Sequence, residues 1–139
     1  MKYSNGRSIA RAMGELIAAR IERPAADFLV PVPLHIGSER EYNQAELIAL
    51  GASAVWGIPV KMALSWRADV ARQATQGTSG DRVLPEDAMR MTAALRAGTR
   101  IYLLDDVYTT GNTLAAAARA MAAGGATVAG AAVWSQSGR

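Results

Sequence analysis

The sequence predicts an α/β fold in which a mainly parallel central sheet is flanked by helices, with a long flexible loop. Three observations predict it. Helical and strand-like periodicities alternate from residue 5 to residue 64, the α-β-α-β order that favours parallel strands joined by crossover helices. Ile101-Tyr102-Leu103-Leu104 is an unbroken apolar run, as a strand covered on both faces allows. Residues 65–87 then break the rhythm with a polar stretch too long for an ordinary connection.

One compact domain over 1–139 suffices for a chain of this size. Half of the residues are hydrophobic and none is cysteine, so no disulfide framework and no thiolate zinc site is expected. The net charge is +3, from 15 Lys and Arg against 12 Asp and Glu, and no dense basic block stands out. Several of the scattered arginines are expected in loops facing an anionic ligand. No apolar run approaches a membrane span and no signal peptide precedes the first helix, which makes the cytoplasm the default expectation.

The elements follow in order. Ile9, Ala12, Met13, Leu16, Ile17 and Ala19 or Ile21 recur at helical spacing over 5–22, with Ser4 or Asn5 as cap and Pro24 as stop. Asp27 to His35 is a short apolar strand running into prolines, which ends it near Val30 or Val32 and raises the chance of a cis peptide. A rigid turn there would stand at the carboxyl end of a parallel strand, where open α/β sheets bind ligands. Asn43 to Trp56 is a second helix, apolar at Ala45, Leu47, Ile48, Ala49, Ala52 and Val55, and Gly57 stops it. Ile58 to Leu64 reads as a strand, residues 65–87 as a mobile lid, and Ala88 to Thr92 as another short strand. After the run at 101–104, Thr113 to Ala123 forms a helix with Leu114, Ala117, Ala118 and Met121 inward. Gly124-Gly125 closes it, and Ala126 to Trp134 is the last strand.

The chemistry concentrates at 101–113. Two carboxylates, Asp105 and Asp106, follow the apolar strand, and a hydroxyl-glycine turn leads into a helix start. Amides at a helix start lack intrahelical partners and carry the positive end of the macrodipole, so a phosphate is stabilised there without lysine. Gly111 lets backbone approach closely, and Thr109, Thr110 and Thr113 add hydroxyl donors. Asp105 and Asp106 suit the vicinal hydroxyls of a ribose, or a Mg²⁺ ion held indirectly. A Walker loop is excluded, because no G-x-x-x-x-G-K-[ST] occurs.

This stretch resembles the phosphoribosyl-pyrophosphate (PRPP) signature of type I phosphoribosyltransferases: apolar strand, two acids, two variable residues, then Thr-Thr-Gly-x-Thr. The resemblance implies that Asp105 and Asp106 are the catalytic acids that hold the ribose. Tyr108, Thr109, Thr110, Gly111, Asn112 and Thr113 would wrap the 5′-phosphate. Pro31-Val32-Pro33-Leu34-His35, Arg40-Glu41-Tyr42-Asn43-Gln44 and Arg72…Gln76…Arg82, in that order before the signature, are similar to the ComF-like, competence-associated branch. That similarity implies a pyrophosphate site at Val32, Pro33, Leu34, His35 and Arg40, and a flexible loop bearing Arg72, Gln76 and Arg82.

The chain departs from the family at Glu41, where glycine is usual, and in the Leu84-Pro85-Glu86-Asp87 stretch. It also lacks the N-terminal cysteine zinc ribbon, as a natural short form or a piece beginning after the ribbon would. Thr109 stands where a related branch has an acid, and threonine cannot serve as that general base.

The expected activity is transfer of the 5-phosphoribosyl group from Mg²⁺-bound PRPP to a nitrogen acceptor, a nucleobase being one candidate, with release of pyrophosphate. Two other classes fit the same residues: a non-catalytic PRPP or nucleotide sensor, and a DNA-uptake or repair accessory with a DNA or helicase partner. A homodimer is a further candidate, since neighbours often complete such loops.

Overall fold

The computed structural model describes residues 2–34, 42–70, 85, 87–108 and 111–136, without the side chains of 2–5, 108 and 136. The elements are α1 (Lys2–Arg20), β1 (Phe28–Pro31), α2 (Gln44–Trp56), β2 (Leu64–Trp66), β3 (Met89–Met91), β4 (Arg100–Tyr108), α3 (Asn112–Ala123) and β5 (Thr127–Gln136).

The central sheet has the order β1-β4-β5 and is parallel throughout, with Phe28 opposite Ile101 and Leu104 opposite Ala132. β4 is its middle strand, which is why the run at 101–104 has no polar position: all four side chains are buried. The pleat sends Ile101 and Leu103 into a cluster with Ala117 and Met121 of α3, Leu64 of β2 and Met89 of β3. It sends Tyr102 and Leu104 into a second cluster with Met13 and Ile17 of α1 and Ile48 and Ala52 of α2. Two helices therefore cover one face, and α3 with the antiparallel β2–β3 pair covers the other.

Several expectations change. Ile58 to Leu64 is not a full strand: Val60 makes a single parallel bridge with Leu29, and regular pairing begins only at Leu64. The bridge rests on the Leu29 N–H donating to the Pro59 carbonyl and the Lys61 N–H donating to Leu29 (2.8 and 2.9 Å); Pro59 has no N–H to extend it. β1 ends at Pro31, and no cis peptide occurs among the described residues.

Helix α1 starts at Lys2, so Ser4 and Asn5 lie inside it and not at its N-cap position. Its buried face is Ala10, Met13, Ile17 and Ala18, while Ile9 (59% exposed) and Leu16 (45%) point outward. The reason lies in two glycines. A Cβ on Gly14 would collide with the Ile48 carbonyl, and one on Gly51 with the Arg11 carbonyl, so α1 and α2 cross with backbones in contact. That crossing fixes the rotation of α1. Val55, expected inward, is likewise exposed, and Trp56 takes the buried position.

One helix start near the site and one helix end at the opposite edge of the sheet are well specified. Asn43 caps α2, its side-chain oxygen accepting from the Ala45 N–H at 3.0 Å. Helix α3 closes in a Schellman arrangement: the Ala126 N–H donates to Met121 and the Gly125 N–H to Ala122, both at 3.0 Å, with Gly125 at φ +94°.

Candidate functional site at the carboxyl end of the parallel sheet

Ligands of open α/β sheets bind beyond the carboxyl ends of the strands. Three features meet at that end here. The chain leaves β1 beside β4, with Pro31 opposite Leu104 and the Val32 N–H donating to the Leu104 carbonyl at 2.9 Å. The turn Val32–Leu34 thus begins level with Asp105. β4 itself continues through both acids to Tyr108, longer than the apolar run alone suggests, because Asp105, Val107 and Tyr108 still pair with Val133, Ser135 and Gln136. Helix α3 then starts at Asn112, with Gly111 at its N-cap in the left-handed region (φ +86°). A glycine there brings no capping side chain, so nothing from that position covers the positive end of the helix.

The turn after β1 is tied at two carbonyls. Asn43 Nδ2 donates to the Val32 carbonyl at 3.0 Å, and the Trp66 indole N–H donates to the Leu34 carbonyl at 2.9 Å. Neither residue carries a signal in the sequence that would assign it this task. Asn43 reads as the first residue of a helix and Trp66 as part of the 65–87 stretch.

Asp105 and Asp106 are adjacent on one strand, so the pleat directs them to opposite faces, Asp105 toward the α3 side and Asp106 toward the α1–α2 side. Both are half-buried. Burial pushes the Asp105 carboxyl up to about 7; the Asp106 N–H, which donates to its Oδ1 at 2.8 Å, opposes the shift, and the Asp106 carboxylate adds to it. At neutral pH Asp105 is therefore poised between its two protonation states. As oxygen donors the two acids can accept from hydroxyls or lie near a hard cation. No group of three or more His, Asp or Glu that could hold a metal occurs among the described residues.

Of the residues singled out from the sequence, Val32, Pro33, Leu34, Asp105, Asp106, Gly111, Asn112, Thr113 and the backbone of Tyr108 stand at this end of the sheet. His35, Arg40, Arg72, Gln76, Arg82, Thr109 and Thr110 lie outside the described residues. Three of the scattered arginines are engaged within the fold. Arg23 donates to the Trp56 carbonyl and Arg100 to the Ala25 carbonyl, both at 2.7 Å. Arg67 forms a bidentate pair with Asp69 (2.7 Å) and a second ion pair with Asp87, and its backbone N–H donates to the Ala88 carbonyl. It clasps the base of the β2–β3 pair. A cavity of about 460 Å³ between Phe28, Lys61 and residues 94–99 lies at the amino end of β1 and β4, away from the acids. No described helix is long and apolar enough to cross a membrane.

Comparison with solved structures shows what the fold is similar to. The allosteric regulatory enzyme of purine biosynthesis matches with a TM-score of 0.62 at 19% identity, over 92% of this chain and 26% of that one. An adenine phosphoribosyltransferase from Thermoanaerobacter pseudethanolicus matches at 0.55 and 16% identity, over 90% of this chain and 66% of that one. An orotate phosphoribosyltransferase from Aeropyrum pernix matches at 0.51 and 18%, over 91% and 56%. The fold is that of the type I phosphoribosyltransferases. The chain spans less than two thirds of the length of each of these structures. No protein-family model and no curated protein matches the sequence.

Proposed function

We propose that this chain binds PRPP at the carboxyl end of its parallel sheet and transfers the 5-phosphoribosyl group to a nitrogen acceptor, releasing pyrophosphate. One observation carries the reading. The tied turn after β1, the acid pair of β4 and the glycine-capped start of α3 converge at one sheet end, in a fold shared with phosphoribosyltransferases.

Each feature has a role in that reaction. The amides at the start of α3 with the hydroxyl-glycine turn Thr109, Thr110, Gly111 and Thr113 take the 5′-phosphate. Asp105 and Asp106 accept from the ribose hydroxyls, and their negative charge favours the ring as cationic character builds at C1. The turn Val32–Leu34, with His35 and Arg40, faces the departing pyrophosphate. Arg72, Gln76 and Arg82 reach it from the long loop. The C1–O bond to pyrophosphate breaks, its electron pair leaving with the oxygen, and the acceptor nitrogen forms the new bond. The proton from that nitrogen passes to solvent, since Thr109 is no base.

Mg²⁺ fits this site as a companion of the substrate. With two half-buried carboxylates and no larger ligand cluster among the described residues, the diphosphate would hold the ion and Asp105 and Asp106 would reach it through water. When bound, it neutralises charge on the leaving group. The ComF-like branch is the subfamily we favour, on the order Pro-Val-Pro-Leu-His, Arg-Glu-Tyr-Asn-Gln and the signature.

The test is calorimetric titration with PRPP and Mg²⁺, followed by a screen of nucleobases for pyrophosphate release. Replacing Asp105 and Asp106 together with asparagine is expected to weaken PRPP binding at least tenfold, in line with the loss of two charge-assisted hydrogen-bond acceptors. Unchanged affinity in that double variant would remove the acids from the site. Binding without turnover on any base would reduce the protein to a sensor.

A further inference from the structure

A turn that cradles an anion must present N–H groups and keep its carbonyl oxygens turned away, because a carbonyl dipole aimed at a phosphate repels it. In the turn Val32–Leu34 the orientation is imposed from outside. The Val32 N–H is spent on the Leu104 carbonyl, its carbonyl is held by Asn43 Nδ2, and the Leu34 carbonyl is held by the Trp66 indole. Pro33 has no N–H to offer. The Leu34 N–H, on the peptide plane between the two tied carbonyls, has no backbone acceptor among the described residues.

The two anchors come from rigid elements on different sides. Asn43 is bifunctional: its amide oxygen caps α2 while its amide nitrogen reaches back to the turn, so the turn and the helix start move as one. Trp66 ends β2, and its half-buried ring packs against the core cluster on the α3 side. An indole N–H can only donate, and the Leu34 carbonyl is its acceptor. Turning the Val32 or the Leu34 carbonyl out of its present direction would break one of these bonds.

Resting on the PRPP reading above, we infer that Asn43 and Trp66 are positioning residues for the pyrophosphate moiety: they hold two of the turn's carbonyls on protein donors, so that neither can swing toward the anion. Neither touches the substrate. Trp66 also links the turn mechanically to β2.

The test uses the full chain and three ligands: magnesium pyrophosphate, PRPP with Mg²⁺, and ribose 5-phosphate. Asn43→Ser keeps a good helix cap and the net charge but removes the donor to Val32. Trp66→Phe keeps the ring and removes the donor to Leu34. Each variant is expected to lose roughly three- to tenfold in affinity for magnesium pyrophosphate and PRPP, about the value of one hydrogen bond, while ribose 5-phosphate binds as before. A general structural fault would weaken all three ligands alike, and that result overturns the inference, as does unaltered pyrophosphate affinity in both variants. Should Asn43→Ser lower thermal stability, Trp66→Phe still decides, because it leaves the α2 cap intact. If the unaltered chain binds neither PRPP nor pyrophosphate, the functional reading falls and this inference with it. If the unaltered chain binds both and the variants do too, only the inference falls.

Discussion

Replacing Asp105 with asparagine is expected to stabilise the ligand-free protein at alkaline pH while leaving it nearly unchanged in acid. The carboxyl titrates near 7 when folded because it is buried beside Asp106, whereas in the unfolded chain it titrates near the ordinary value of about 4. The folded state thus binds the extra proton between those values. Stability from this group is complete below pH 4 and is lost as pH rises through 7. The full difference corresponds to roughly 4 kcal/mol at 1.36 kcal/mol per pH unit. The side chain is only half-buried, so a difference of about 1–3 kcal/mol is the expectation. Asparagine has no charge to desolvate, and its side-chain oxygen can still accept from the Asp106 N–H. Urea unfolding followed by tryptophan fluorescence at pH 4.5, 6, 7 and 8.5 gives the stability of both proteins, and subtracting one curve from the other removes every shared titration. A difference that stays flat from pH 4.5 to 8.5 would refute the reasoning. The same substitution weakens PRPP binding under the functional reading, so the site holds its acid at a cost to the fold.

Three further predictions concern the scaffold. Gly51→Ala should destabilise by about 1–3 kcal/mol, since its methyl would meet the Arg11 carbonyl at the α1–α2 crossing; a urea midpoint equal to the parent's would deny the close approach. Ile17→Ala should cost about 2–4 kcal/mol, whereas Leu16→Ala, one residue away, should stay within about 0.5 kcal/mol, because Ile17 is 6% exposed and Leu16 45%. Equal losses in paired melts would place the helix in another rotation. Gly125→Ala should lose about 1–2 kcal/mol from its φ of +94°, read as a lower melting temperature with unchanged ligand affinity.

The sequence revealed β4 and its surroundings because burial on both faces removes every polar residue from Ile101 to Leu104. The start of α3 was visible for a similar reason, since Gly111 has a local conformational task. Helix α1 was not legible in the same way. It carries apolar residues on two faces, and the choice between Ile9 with Leu16 and Met13 with Ile17 is made by Gly14 meeting Gly51 of another helix. The segment at 58–64 failed as a strand because apolar composition does not reveal that Pro59 limits pairing to one bridge. At the site, the acids and the glycine were readable from type and spacing. The tasks of Asn43 and Trp66 were not, because each is defined by a carbonyl on a distant stretch of chain.

The clasp at Arg67 has a consequence for how this chain can change over time. Trp66 faces Met89 across the ladder, and Arg67 holds Ala88 and Asp87 directly behind it. Whatever lies between those two ends is spliced into the molecule at a closed joint. Lengthening such an excursion carries only a slowly growing entropic cost. Descendants of this fold can therefore vary the length of that stretch while the joint between β2 and β3 stays as it is.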